Sequence, residues 1–406
     1  MMRTERSERY WLWLLLTVVC LPRITIDFYL PGLPAIGASL HASSGGMAAT
    51  MSVYMAAYAL STLLCGPLAD RHGRRPVLWG GAGLYLAATL ACALAGSMAV
   101  VIAGRFLQAL GAGCGTVIGR AMVKDRYAPS DQVRLMALLS AGMSLSPVLA
   151  PLPGAAVVAF CGWRGSFGLL AVGALLLLAA LVWLPETRAG QWAGGESLRQ
   201  RYRRLLTDRH FLRCTLTISL GYCTYFAYVS ASPVLLEQHM HLSPLAYATC
   251  FSLSVPGYLG GTRLMRRLSA SRSVARVLDV AVALNLAACL VLCAATFCWP
   301  SSPAALVLPM IPVMLSVGML IPACQVSVLQ PYGDMAATAS GLFFFLQMST
   351  AALCAWLAGL VQERGPAPLA VLILLAACGA FLAWRGLAPR SAVCAPGAVA
   401  LSQDGK

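Results

Sequence analysis

Apolar runs long enough to cross a bilayer recur along this chain, and short basic segments separate them. A membrane-spanning helix needs ~20 mostly apolar residues. Twelve runs meet that need, at approximately 11–38, 46–68, 77–96, 98–122, 133–158, 163–184, 211–236, 246–264, 276–297, 303–327, 336–361 and 366–386. The eighth is the weakest, being short and rich in Gly and Pro (Pro256, Gly257, Gly260, Gly261). Charged residues make up 11% of the 406, whereas a soluble domain carries roughly 25%. An all-α membrane protein of twelve transmembrane helices is expected. The first run is too long for a cleaved signal peptide, holds ionisable residues and precedes no Ala-x-Ala-like site.

The net charge of +15 raises the question of nucleic-acid binding. Position argues against it. With the N-terminus in the cytoplasm and the sides alternating, 25 of the 29 Lys and Arg fall in cytoplasmic segments. Arg120 is counted there, with Lys124, Arg126 and Arg134. Arg164 and Arg364 lie outside, and Arg23 and Arg105 lie in the membrane. That asymmetry is the positive-inside rule, and it implies both termini in the cytoplasm. The partners expected are the lipid bilayer and a small-molecule substrate, not nucleic acid, with the chain working as a monomer.

Fifteen cysteines show no C-x-x-C pair and no metal-ligand spacing, so no metal is expected. No phosphate-cradling G-x-x-x-x-G-K-[ST] loop occurs, which excludes drive by nucleotide. No H-E-x-x-H, Gly-x-Ser-x-Gly or pair of intramembrane acids appears either, so an enzyme is not expected.

The longest internal polar stretch, 186–210, splits the runs six and six. A basic turn follows the second run at Gly66 to Arg75, and another follows the eighth at Gly257 to Arg267. This echo points to two pseudo-symmetric six-helix bundles, at 1–190 and 211–388. They would be joined by a cytoplasmic linker at 191–210 and followed by a disordered tail at 389–406. Carriers built from such repeats hold substrate near the midplane, between the halves.

Asp27 lies deep inside the first run, with Arg23 one helical turn earlier. A carboxylate at that depth costs about 2.5–3.5 kcal/mol on the insertion scale. Two readings follow: a group that gains and loses a proton during transport, or a structural ion pair with Arg23. Asp279 and Glu237, near span ends, are second choices. Arg105 lies inside the fourth run and stays charged. It can tune a nearby carboxylate or serve as a hydrogen-bond hub, and these roles are compatible. Asp70, Arg71, Arg74 and Arg75 share a turn where Gly73 can take positive φ. The arginines there can pair with Asp125 or Glu186 and latch the cytoplasmic side shut. Gly142, Pro147, Pro151, Pro153 and Gly154 crowd the fifth run, which would bend and pack tightly against the other half.

Four segments carry a family resemblance. Gly66-x-Leu68-Ala69-Asp70-Arg71-x-Gly73-Arg74-Arg75 resembles the cytoplasmic signature of the major facilitator superfamily. Arg105-Phe-Leu-Gln108-Ala-Leu-Gly111 is similar to its buried Arg-x-x-Gln-Gly motif, with Ala109 where Gly is usual. Asp27-Phe-Tyr29-Leu-Pro31-Gly-Leu33-Pro34 resembles the drug-exporter pattern Asp-x-Tyr-Leu-Pro-x-x-Pro. Gly142 through Pro151 to Gly154 resembles the antiporter motif, with Ala150 in place of Gly. Lys124-Asp125-Arg126-Tyr127 is similar to the charged turn after span 4. The chain thus resembles a drug/proton antiporter of the Bcr/CflA type. That resemblance implies the major facilitator fold, a bacterial inner membrane, protons as the coupling ion and no other cofactor. It also implies proton coupling through Asp27 and Arg105, a latch at Gly66 to Arg75 with Asp125, and an antiporter kink at Gly142, Pro147, Pro151 and Gly154.

A cargo pocket should mix aromatic faces with a few polar groups. Tyr29, Tyr54, Tyr58, Gln108, Met143, Tyr222, Tyr225, Tyr228, Gln325, Phe345 and Gln347 fit that mixture. Aromatic faces suit lipophilic cations, and Met and Phe suit varied apolar shapes. The expected function is proton-coupled export of amphipathic drugs, either lipophilic cations or neutral antibiotics such as phenicols. The alternative is a carrier of a narrow metabolite such as a nucleoside, sugar or amino acid.

Overall fold

The computed structural model describes residues 2–184, 186–187, 198–329, 331–332 and 336–387. Helix α1 (Met2–Tyr29) continues through a 3-10 turn at Leu30–Gly32 into α2 (Leu33–Ser39). Pro31 and Pro34 stand at the starts of the turn and of α2, where a missing N–H costs nothing. There follow α3 (Ser44–His72), α4 (Arg74–Ala93), α5 (Met98–Arg126), α6 (Pro129–Leu149) and α7 (Pro151–Leu181). Helix α7 is two helices joined at Gly162, whose φ is 68°. Residues 151–161 therefore complete the fifth run, and 163–181 form the sixth. The second half holds α8 (Leu198–Thr207), α9 (Arg209–Pro233), α10 (Pro244–Ser269), α11 (Val274–Cys298), α12 (Pro303–Leu329), α13 (Ala336–Val361) and α14 (Pro366–Gly386).

Among the described residues, nine segments are long and apolar enough to cross a membrane. Helices α9 and α10 are not among them. Hydroxyl side chains dilute their hydropathy, and the fold buries many of these and bonds them back to the helix. Thr224 donates to the Gly221 carbonyl at 2.7 Å, and Ser254 donates to the Phe251 carbonyl at 2.6 Å. These two hydroxyls are satisfied within their own helices, which helps both helices stand among apolar neighbours.

The two halves repeat one packing plan. Helix α3 packs on α5 as α10 packs on α12, and α4 packs on α5 as α11 packs on α12. Helix α1 meets α5 as α9 meets α12. The entry to the second helix of each half is built alike. His41 and His241 both take positive φ, at 50° and 56°. Ser43 and Ser243 then cap α3 and α10, each accepting a backbone N–H at 3.2 Å. The glycines of the weak eighth run are also explained. A Cβ on Gly257 would sit 2.3 Å from the Ile311 carbonyl oxygen, and one on Gly261 would sit 2.0 Å from that of Leu315. These positions let α10 and α12 touch backbone to backbone.

One end of the molecule carries the basic turns at 71–75, 124–126 and 263–276 and is called here the basic end. At the far end a single apolar core takes residues from both bundles, including Ile36, Met47, Leu235 and Tyr247. At the basic end each bundle has its own core, around Leu15 and Ile118 in one and Phe211 and Phe343 in the other. The bundles thus join at the far end and part toward the basic end. Within the expected linker, α8 (Leu198–Thr207) buries Leu205 in the second of these cores. Residues 188–197 and the tail at 389–406 lie outside the described residues.

Candidate functional site

Asp27 stands half a turn before the end of α1 and is fully buried. Its Oδ2 accepts a hydrogen bond from Ser146 Oγ of α6 at 2.8 Å. The same oxygen lies 3.6 Å from Nε of Arg23. Its Oδ1 is buried with no hydrogen-bond partner among the described residues. Arg23 reaches further, to the other bundle. Nη1 donates to the Tyr222 hydroxyl at 2.5 Å and Nη2 to the Tyr225 hydroxyl at 2.6 Å. Spaced three apart on α9, the tyrosines share a helix face, and their rings lie 5.9 and 5.2 Å from the guanidinium carbon. One carboxylate, one guanidinium and two phenols therefore tie α1, α6 and α9 together between the bundles.

Arg105 forms a separate centre inside the first bundle. It is fully buried, with its guanidinium carbon 4.3 Å from the Tyr29 ring and 4.0 Å from the Tyr54 ring. Nη1 donates to Gln108 Oε1 at 2.8 Å, and Gln108 Nε2 donates to Thr89 Oγ1 at 2.8 Å. Nε and Nη2 of Arg105 are buried without a hydrogen-bond partner among the described residues. The Tyr29 hydroxyl bonds Thr50 at 2.8 Å, and the Tyr54 hydroxyl donates to the Pro22 carbonyl at 3.0 Å. Asp27 and Arg105 thus occupy different centres, and the ion pair of Asp27 is with Arg23.

Arg120 departs from its expected place in a cytoplasmic segment. Helix α5 runs on to Arg126, which leaves Arg120 within the helix. Its guanidinium lies 4.8 Å from the Phe344 ring of the opposite bundle and 3.5 Å from the Met143 sulfur. Tyr58, bonded to Thr116 at 3.2 Å, stands within electrostatic reach of both Arg120 and Arg23. Arg120, Tyr58, Arg23 and Asp27 therefore succeed one another from the basic end toward the midplane.

The remaining expected pocket residues divide. Met143 and Phe345 are half-buried, and Phe345 packs against cores at both depths. Gln325 is half-buried on α12. Gln347 is buried on α13 with Oε1 unbonded among the described residues. Tyr228 stacks on Phe251 at 5.8 Å inside the second bundle, which identifies it as a packing residue.

In the basic turn, Gly73 takes φ of 98°, as the turn requires. Arg74 bonds Asp70 at 2.5 Å and Asp125 at 3.0 Å. Glu186 caps α4 by accepting the backbone N–H groups of Arg74 and Arg75 at 2.8 and 3.1 Å. Arg75 also donates to the Val182 carbonyl at 2.9 Å. All these bonds stay within the first bundle. Arg71 is exposed, Asp70 is half-buried, and Gly66 is half-buried on α3 near Val117.

The fifth run meets the other half through α10 and also packs closely on α1. A Cβ on Gly142 would meet Cys20 and Leu16 at 3.0 and 3.1 Å, and one on Gly154 would sit 2.4 Å from the Phe28 carbonyl oxygen. These glycines press α6 and α7 onto α1 beside Asp27, and α6 and α7 both also meet α10 of the second bundle. Pro151 is buried at the start of α7, whereas Pro153 is exposed. The Pro147 side chain lies outside the described residues. Sequence reasoning missed Ser146 and Arg120 and gave Arg23 only a structural role. The spacing of Arg23 and Asp27 was visible, but the two tyrosines from the other bundle were not.

The sequence matches the family model described as Major Facilitator Superfamily over residues 14–355. It is 37% identical over 230 residues to "Multidrug resistance protein MdtL" of Escherichia coli O81 (strain ED1a). It is 36% identical over 230 residues to the protein of that name from Shigella dysenteriae serotype 1 (strain Sd197). Each match covers 56% of this chain and 59% of the relative, less than two thirds of its length. Among solved structures, the chain resembles a bacterial homolog of the human lysosomal transporter Spinster in an inward-facing, unoccupied conformation. That match has a TM-score of 0.71 and 16% identity, and covers 93% of this chain and 97% of that one. A D-xylose-proton symporter matches with a TM-score of 0.70 and 14% identity, covering 92% and 98%. These structures speak to the fold alone.

Proposed function

From the membership of this chain in the Major Facilitator Superfamily, we propose that it exports amphipathic small molecules in exchange for protons. The basic end faces the cytoplasm, as the positive-inside rule requires, and the membrane is a bacterial cytoplasmic membrane. The multidrug-resistance relatives support drug export, and the protein works as a monomer with protons as its only coupling ion. The family and the relatives are transporters, not enzymes.

The observation that carries this reading is Asp27, sealed from solvent yet joined through Arg23 to the opposite bundle. A group placed there senses both its own charge and the position of the other half. With the bundles parted at the basic end, cargo enters from the cytoplasm and meets Arg120, Tyr58, Tyr222 and Tyr225. Rocking of the bundles then opens the far end, where cargo leaves and a proton reaches Asp27. The buried centre at Arg105 holds Tyr29 and Tyr54 rigid behind it. The latch at Asp70 to Arg75 closes the basic end in the opposite state.

Replacing Asp27 with Asn tests the reading. The amide keeps the size of the side chain and cannot exchange a proton. In proteoliposomes, drug-dependent proton release should fall at least about a hundredfold, the lower range for losing one proton-transfer group, while the protein still inserts. Full activity in the Asn variant would remove Asp27 from the mechanism.

A further inference from the structure

Arg23 is held by two competing partners. Its bonds to the Tyr222 and Tyr225 hydroxyls measure 2.5 and 2.6 Å, whereas its nearest approach to Asp27 is 3.6 Å. Its side chain is 16% exposed and that of Asp27 is 0% exposed. The carboxylate is therefore fixed and sealed, while the guanidinium reaches the space between the bundles. A carboxylate beside two phenol rings is also the seat that a lipophilic cation would seek. Here a tethered cation already fills it.

We infer that Arg23 is the moving part of the exchange, passed between Asp27 and the Tyr222–Tyr225 pair, and that it restricts cargo to uncharged, hydrogen-bonding amphipaths. The inference rests on the proposed role of Asp27 as the proton site. Among the described residues, the groups facing Arg23 and Asp27 are few. They are Ser146 on α6, Tyr58 on α3, Tyr222 and Tyr225 on α9, and Tyr247 on α10, with Arg120 of α5 beyond Tyr58. Arg120 adds a second cation on the approach, which further disfavours cationic cargo.

The sign of coupling follows from this sharing. An uncharged cargo that takes the phenol hydroxyls leaves Arg23 with Asp27 as its one remaining partner. An opposite charge at close range favours the ionised carboxylate, so the proton leaves. A proton that returns to Asp27 removes the attraction, and Arg23 goes back to the phenols and displaces cargo. By linkage the two effects are equal in free energy, and together they make an antiporter. Because the phenols belong to the other bundle, each exchange also makes or breaks bonds between the halves.

The test uses the full chain in lipid nanodiscs, in weak buffer with a pH-sensitive dye. Chloramphenicol is the uncharged probe and tetraphenylphosphonium the cationic one. The wild type should bind chloramphenicol and release protons. Its affinity for tetraphenylphosphonium should be lower by about tenfold or more, the scale of one desolvated cation–π contact. Arg23→Gln should still bind chloramphenicol but release at least about fivefold fewer protons per molecule bound, the lower range of coupling energies. It should also gain at least about tenfold in affinity for tetraphenylphosphonium. Tyr222→Phe with Tyr225→Phe keeps the rings and leaves Arg23 on Asp27 throughout. Release should fall there too, with no gain for the cation, and this variant carries the test if Arg23→Gln does not fold. Wild-type proton yield in Arg23→Gln would overturn the inference. So would a wild type that binds the cation as tightly as chloramphenicol, or one that binds neither probe. Wild-type release in Asp27→Asn would instead overturn the proton-site reading itself, whereas a silent Asp27→Asn beside an unchanged Arg23→Gln would sink this inference alone.

Discussion

Arg105 is a full charge held without an ionic partner among the described residues, clamped between two tyrosine rings with two of its donors unbonded. Such a group is poor at stabilising a fold, because a buried charge carries a desolvation penalty of about several kcal/mol that only a close opposite charge and full hydrogen bonding repay. Arg105→Met should therefore leave thermal unfolding in detergent unchanged or raise its midpoint, and yet abolish drug-driven proton release. A large fall in the midpoint with transport intact would identify Arg105 as a structural hub instead. Both Asp27 and Arg105 were legible in the sequence, since an ionisable residue stands out in an apolar run. Their partners were not. Arg23 bonds residues about two hundred positions away, and only the assembly of the two bundles brings α9 within its reach. Arg120 was misplaced for a simpler reason: hydropathy ended the span two residues after it, whereas the helix continues to Arg126 and turns that side chain toward Phe344.

At the scale of elements, the glycines on α10 set how closely that helix approaches α12. Gly261→Leu would drive a side chain into the Leu315 carbonyl, with its Cβ 2.0 Å away, whereas a Cβ on Gly260 meets only Leu315 Cδ1 at 4.0 Å. The first change should cost at least the ~1–3 kcal/mol of overpacking, and the second should stay within about 0.5 kcal/mol. Thermal unfolding of the two variants side by side checks this, and equal midpoints would mean that the helices separate freely.

The start of α9 offers a pH test. Burial pushes the Asp208 carboxyl up, but a hydrogen bond from the Tyr332 hydroxyl and the backbone amides of His210 and Phe211 outweigh it and hold it below the usual 3.8. A depressed carboxyl adds stability that is present above its unfolded value and lost as pH falls through the folded one. Tyr332→Phe should thus lower the unfolding midpoint at neutral pH, and the gap from wild type should close only as pH falls below 3.8 and through the lowered folded value, where the carboxyl is protonated in both proteins. A gap that persists at low pH would assign the loss to packing of Tyr332 on Phe211. Element positions and the glycine turn at 73 were readable beforehand, because period, turn chemistry and charge are local. The repeated His-x-Ser entries at 41–43 and 241–243 were also present in the sequence, but two such short matches gain meaning only when both prove to be caps.

At the scale of the whole molecule, one sealed carboxylate between two parting bundles sets the electrical account of transport. On the proposed exchange, a single titrating carboxylate implies one proton for each molecule expelled. If the cargo is uncharged, each cycle carries one charge inward, and 100 mV of membrane potential adds ~2.3 kcal/mol. That is roughly fortyfold in the limiting ratio of cargo, since every 1.4 kcal/mol is tenfold. Collapsing the potential with valinomycin and potassium, at constant pH gradient, should therefore lower chloramphenicol export in proteoliposomes. A cation exchanged for one proton moves no net charge. Tetraphenylphosphonium export by Arg23→Gln, where it occurs, should accordingly be insensitive to the same treatment. Potential-sensitive export of that cation would mean two protons per cycle. The second site would then be sought at Glu237, which follows α9 at the far end and keeps one carboxylate oxygen buried and unbonded among the described residues. Glu237→Gln should in that case restore the insensitivity, and its failure to do so would exclude that residue.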